Sequence, residues 1–171
     1  MPGNKKPKRK YVPKYTNPKN TVETLFDGDK PLTGELKEKV LLTAHLCASR
    51  LARGEATQED WGALVTACNV NLILCERAGN KEIGLQATYD ACNALISVQE
   101  RFFAKGRRVA TGEELTAING GLHVFEEIVE TVTKRQYVWA SDQIEQRMRA
   151  GQSVGVRANE KTARYELKVA A

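Results

Sequence analysis

The stretch from Thr111 to Val132, TGEELTAINGGLHVFEEIVETV, decides the fold. Thr111 and Glu114 stand three apart, the spacing of a capping box, in which each side chain accepts from the other residue's backbone N–H at a helix start. Leu115, Ile118, Leu122, Phe125, Val129 and Val132 follow at alternating steps of three and four. That period lines one side of an α-helix with apolar side chains. It is also a heptad seam, too short to demand a coiled coil. Gly120 and Gly121 interrupt it, at up to about 1 kcal/mol each relative to alanine. Such a pair suits a neighbouring helix that approaches closely.

Three helical patterns precede this one. The first covers roughly residues 34–53, where Leu36, Val40, Ala44, Cys47 and Leu51 form one stripe. Thr33 is placed to cap its start and Gly54 to end it. The second covers roughly residues 58–78, with Trp61, Leu64, Val65, Cys68, Leu72 and Cys75 as its stripe. Thr57 is its expected cap, and Glu59 and Asp60 complement the helix dipole in the first turn. The third covers roughly residues 81–105, with Ala91, Leu95, Val98 and Phe102 in line and Gly106 after it. Residues 134–150 either continue the fourth helix or form a fifth, with Trp139, Ile144 and Met148 as the main apolar side chains. Beyond Gly151 the pattern fades. Tyr165, Leu167 and Val169 alternate with polar residues, which suits a short strand or an ordered tail. No internal repeat and no convincing sheet is evident. Short loops between the first helices favour antiparallel neighbours. The expectation is an all-α antiparallel bundle of four to five helices over residues 33–150, with a basic Pro-rich arm (1–20), a connector (21–32) and a C-terminal tail (151–171).

Charge is distributed unevenly. The 171 residues carry 26 Lys+Arg and 21 Asp+Glu. Lys5, Lys6, Lys8, Arg9, Lys10, Lys14 and Lys19 precede the first acid, Glu23. That leaves 19 cations against 21 acids, a net charge of about −2 for the rest of the chain. Pro2, Pro7, Pro13 and Pro18 disfavour a helix in the arm. Fully extended, the arm reaches roughly 60 Å. Its lysines and arginines suit phosphate backbones, and Tyr11 and Tyr15 suit stacking on unpaired bases. The residue set Lys5, Lys6, Lys8, Arg9, Lys10, Tyr11, Lys14, Tyr15 and Lys19 is therefore the candidate contact for RNA or single-stranded DNA. Docking on an acidic protein and a solubilising tail are the alternatives. In the connector, Val22, Leu25 and Phe26 suit docking on the body, and Asp27-Gly28-Asp29 reads as a turn. A weaker basic set, Arg101, Lys105, Arg107 and Arg108, closes the third helix, where cations also complement the helix dipole. The C-terminal region adds Arg147, Arg149, Arg157, Lys161, Arg164 and Lys168.

No catalytic constellation emerges, and no enzyme is expected. There is no phosphate loop, no nucleophile elbow and no HExxH zinc motif. Leu42 and Gly120 stand three residues before His45 and His123, where a di-metal carboxylate bundle needs glutamate. No metal and no cofactor are expected. Cys47, Cys68, Cys75 and Cys92 lie in apolar helical patterns and read as core residues. Glu126, Glu127 and Glu130 read as a solvated face, with Glu130 and Lys134 spaced to pair on one helix. No stretch approaches the 18 apolar residues of a membrane span, so no membrane partner is expected. With no apolar segment after the basic start and no disulfide-like cysteine spacing, a reducing, cytoplasmic setting is expected.

The run from Asn4 through Lys14 resembles the opening of small uncharacterised proteins encoded by phages and prophages of proteobacteria, which have a Lys/Arg-Pro-Tyr-rich start before a helical body. The resemblance covers the first 15 residues and the general helical layout. It implies a phage origin and brings no catalytic or ligand residue with it. Small phage proteins often act by binding a host machine, as anti-CRISPR inhibitors do. The resemblance thus implies a second possible partner, a host protein complex.

Two tryptophans divide by context. Trp61 aligns with Leu64, Val65 and Cys68 and is expected in the core. Trp139 stands among Arg135, Gln136, Tyr137 and Gln143. It is either covered by the tail or an interface anchor flanked by Tyr137 and Ile144.

Overall fold

A computed structural model describes residues 28–78, 83–150, 155–159 and 164–168. Five helices follow in order: α1 (Gly34–Arg53), α2 (Gln58–Ala78), α3 (Ile83–Lys105), α4 (Gly112–Thr131) and α5 (Lys134–Arg149). Strands β1 (Gly155–Asn159) and β2 (Arg164–Lys168) pair antiparallel, Gly155 opposite Lys168 and Asn159 opposite Arg164. The body is thus an all-α bundle with one small hairpin beside it. The hairpin is the addition to the expected fold: β2 falls where alternation was legible, and β1 had no such signal.

Helix ends follow their capping residues. Thr111 Oγ1 accepts from Glu114 N at 3.2 Å, and Glu114 Oε2 accepts from Thr111 N at 2.7 Å. The same reciprocal arrangement opens α2 through Thr57 and Asp60, and α5 through Thr133 and Gln136. Each box satisfies backbone N–H groups that have no intrahelical acceptor. Thr33 takes the extended conformation of a cap, but its side chain makes no capping bond. Gly54 closes α1 with φ at +72°, and Glu55 N donates to Arg50 O at 2.9 Å. This is a Schellman ending, whose left-handed residue is strained with any Cβ.

Residues 134–150 do not continue α4. Val132 leaves the helix in an extended conformation, and the Thr133–Gln136 box starts a new one. The break separates Glu130 from Lys134, so the pair expected on one helix is not the one made. Glu130 instead forms an ion pair with Lys37 of α1.

Helix α2 is the centre of the molecule. It touches α1, α3, α4, α5 and β1. Every residue from Ala67 to Cys75 is buried. The single stripe expected for α2 was therefore too narrow. Val70, Ile73 and Leu74 are also buried, because a helix enclosed by neighbours is apolar on most of its faces. Trp61 is in the core as expected, its Nε1 donating to Leu95 O at 2.9 Å. Asn69 and Asn71 sit in this run with their amides used. Asn69 donates to Val156 O at 3.2 Å and accepts from Val156 N at 2.9 Å, fastening β1 to α2. Asn71 donates to Thr88 Oγ1 at 2.8 Å and to Gly121 O at 3.2 Å, joining α2, α3 and α4.

Gly121 makes the close approach that the glycine pair suggested. A Cβ there would lie 2.5 Å from Ala91 Cβ and 3.4 Å from Ala87 O. Gly120 has open space instead. One glycine of the pair is needed for packing, and the contact belongs to α3.

Candidate nucleic-acid interface

Lys5, Lys6, Lys8, Arg9, Lys10, Tyr11, Lys14, Tyr15 and Lys19, the residues expected to touch nucleic acid, lie outside the described residues, as do Val22, Leu25 and Phe26. What is described is where the connector meets the body. Pro31 bridges Thr133, and Leu32 N donates to Val132 O at 3.4 Å. Lys134 N donates to Lys30 O at 3.0 Å and Arg135 N to Gly28 O at 2.8 Å. These are first-turn N–H groups of α5, which need outside acceptors. Arg135 also pairs with Asp29 at 3.1 Å. The chain therefore enters the body at the start of α5, held by backbone bonds.

The basic set at the end of α3 divides by function. Arg101 grips Glu114 with two nitrogens at 2.5 and 2.9 Å, and donates to Val109 O at 2.6 Å. Burial works against an ionised Glu114, but the bonds from Arg101 and Thr111 outweigh it and hold the carboxyl below its usual range. Arg101 is thus a strut between α3 and the start of α4. Arg108 is buried, its Nε donating to Gln99 Oε1 at 3.0 Å, its Nη2 to Gln58 Oε1, and its Cζ 3.6 Å from the Phe102 ring centre. Lys105 and Arg107 are exposed. Phe103, beside them, is 60 % exposed. Gly106, with φ at +72°, turns the chain out of α3 between Lys105 and Arg107. The composition of residues 99–108 shows the cations; which of them are structural depends on partners from α2 and α4.

Asp60, at the same end of the bundle, is the other buried charged side chain among the described residues. It accepts from Thr57 N at 2.9 Å and from Arg50 Nη1 at 2.9 Å. The Thr57 N–H is the stronger influence, opposed by burial and aided by Arg50, and the carboxyl falls to about 2.

Among the C-terminal cations, Arg147 contacts Glu76 at 3.3 Å and Arg149 contacts Glu145 at 3.2 Å. Lys161 lies outside the described residues. Tyr137, Trp139 and Ile144 are half-buried and pack against the core. Arg77 of α2 lies over the Trp139 ring, 4.6 Å from its centre. The hairpin rests on α2 and α3 rather than on α5.

The two histidines come together although they sit on separate helices. His45 Nε2 is 2.5 Å from Glu126 Oε1, and His123 Nδ1 is 3.5 Å from Glu126 Oε2. All lie on the α1–α4 surface, and among the described residues no group of three or more His, Cys, Asp or Glu side chains is placed to hold a metal ion. The four cysteines are buried thiols. Burial pushes Cys47 and Cys75 up to about 11, and the contact with Cys68, together with burial, raises Cys92. Such thiols are poor nucleophiles, in keeping with the core role read from their spacing. No helix among the described residues is long and apolar enough to cross a membrane. Compared with protein-family models, curated proteins and solved structures, the chain matches none.

Proposed function

We propose that the protein is a non-enzymatic binding protein of phage origin that contacts RNA or single-stranded DNA through its N-terminal arm. One observation carries this reading: seven cations and two tyrosines precede the first acid, while the rest of the chain is near −2. Cations on a proline-rich arm exchange condensed counterions for phosphate contacts, which needs no base readout. Tyr11 and Tyr15 add stacking at about 1–3 kcal/mol per base, which favours unpaired strands. The buried thiols support a reducing, cytoplasmic setting.

Fluorescence anisotropy with labelled oligo(U) and oligo(dT) tests the reading. If all seven arm cations engage phosphates, affinity falls about a thousandfold between roughly 50 and 200 mM salt, from a slope of about −0.7 per phosphate. Replacing Lys5, Lys6, Lys8, Arg9, Lys10, Lys14 and Lys19 by glutamine removes most of the binding. Salt-insensitive binding, or binding unchanged by the replacement, overturns it. A stoichiometric protein partner that survives nuclease treatment would instead favour an anti-CRISPR-like inhibitor of a host protein complex, the function the phage resemblance implies.

A further inference from the structure

Helix α1 leaves one side without a neighbour among the described elements. It touches only α2 and α4, and it turns Ala44, Cys47, Ala48 and Leu51 inward. At about 100° per residue, the opposite side carries Glu35, Lys39, Leu42, Leu46, Ser49 and Arg53. All six are exposed. Leu42 is 63 % and Leu46 43 % exposed, two of the three large apolar side chains that face solvent among the described residues. A single exposed leucine is ordinary, but two at i and i+4 make one ridge.

This outer line has the same spacing read from either end. Its steps are 4, 3, 4, 3 and 4 residues, the spacing of a coiled-coil seam. Turning the helix end for end, about the point midway between Leu42 and Leu46, exchanges Leu42 with Leu46, Lys39 with Ser49 and Glu35 with Arg53. An acid first and a base last is the order that the helix dipole favours. With two leucines between them on one line, that order makes the face complementary to itself when two copies run antiparallel. A parallel pair would set Glu35 on Glu35 and Arg53 on Arg53. Arg53 already lies along the line, its Nη1 donating to Ser49 Oγ at 3.1 Å. Its other contact, with Glu55 at 2.9 Å, is an exposed ion pair of the kind worth little. The flanking charges are committed within the chain: Lys37 to Glu130, His45 to Glu126 and Arg50 to Asp60.

We propose that this face is a homodimer interface, in which two copies pack α1 against α1 antiparallel about a two-fold axis. Leu42 of each copy meets Leu46 of the other, and Glu35 of each meets Arg53 of the other. Such a contact is isologous, so it closes at two chains. The leucines form its apolar centre and the charge pairs its rim. One helix from each copy is a small contact, so the dimer is a weak one, with a dissociation constant of roughly 1–100 μM. This pairing stands independently of what the arm binds.

Sedimentation velocity of the full-length chain across roughly 1–200 μM tests the pairing. The wild type is expected to shift from monomer to dimer over that range. L42E/L46E changes only exposed side chains and is expected to stay monomeric throughout, with circular dichroism unchanged. Charge reversal reads the direction of the helices. Glu35→Arg and Arg53→Glu are each expected to weaken the dimer several-fold at low salt. The E35R/R53E chain is expected to regain wild-type association, because each new arginine again meets a glutamate. A wild type that stays monomeric overturns the dimer; if L42E/L46E then also opens the segment before Gly28 to protease, Val22, Leu25 and Phe26 are the occupant of this face instead. A dimer untouched by L42E/L46E overturns the choice of face. Charge reversals that add rather than cancel overturn the antiparallel register.

Discussion

Helices α4 and α5 open with the same device and are held to the body by different means. Helix α4 is seated by shape. Ile118, Leu122, Phe125 and Val129 are buried to the last few per cent, and Gly121 lies against Ala91 with no room for a Cβ. Helix α5 buries Ala140 and rests Tyr137, Trp139 and Ile144 half-buried on the core, and is otherwise held by mixed contacts: connector carbonyls on its first N–H groups, Arg77 over Trp139, and Arg147 on Glu76. Close packing is unforgiving of volume change, whereas exposed and half-exposed polar contacts are individually worth little. The stability of the molecule is therefore concentrated where α4 meets α2 and α3.

Paired truncations give the largest contrast. Phe125→Ala is expected to destabilise by about 3–5 kcal/mol, the range for a buried aromatic, and Trp139→Ala by about 1–2 kcal/mol, since its ring is half-buried. Urea denaturation of both measures the difference. Equal losses would mean that α5 belongs to the same rigid core. Loss of self-association or of partner binding in Trp139→Ala, with stability intact, would mark an interface anchor. An intermediate effect is expected from Gly121→Ala, about 1–3 kcal/mol of overpacking, partly restored by Ala91→Gly. A double-mutant cycle reads the coupling directly; additive losses would show that the two residues do not meet.

Acid gives the smallest contrast and reads the caps themselves. The α4 box uses Glu114, whereas the α5 box uses Gln136, which does not titrate. Glu114 is held below its ordinary value in the folded chain. A depressed carboxyl contributes stability above its unfolded pKa, about 4.3, and that contribution is lost as pH falls through the folded value. Asp60 behaves alike between its ordinary 3.8 and about 2. Amide exchange at the starts of α2 and α4 should accelerate on acidification below about pH 4, relative to the start of α5. Equal acceleration at all three starts would remove the distinction.

The sequence by itself determined the helices and most of their ends. The three-four stripes, Thr57, Thr111 and Gly54 are local signals, and capping and periodicity act within one or two turns of chain. Thr133-x-x-Gln136 carried the same capping signal and was enough to separate α5 from α4; the apolar seam reaching Val132 masked it. The unbroken burial of Ala67–Cys75 was only partly legible, in the run Val70-Asn71-Leu72-Ile73-Leu74. Tertiary structure alone decided that Glu130 pairs with Lys37, that both histidines meet Glu126, and that Asn69 fastens the hairpin. It also decided which of four neighbouring cations is a strut, which is buried and which face water. The reason is physical: a charge reveals its role only through the partner that compensates it, and those partners lie on other helices, outside the reach of local spacing.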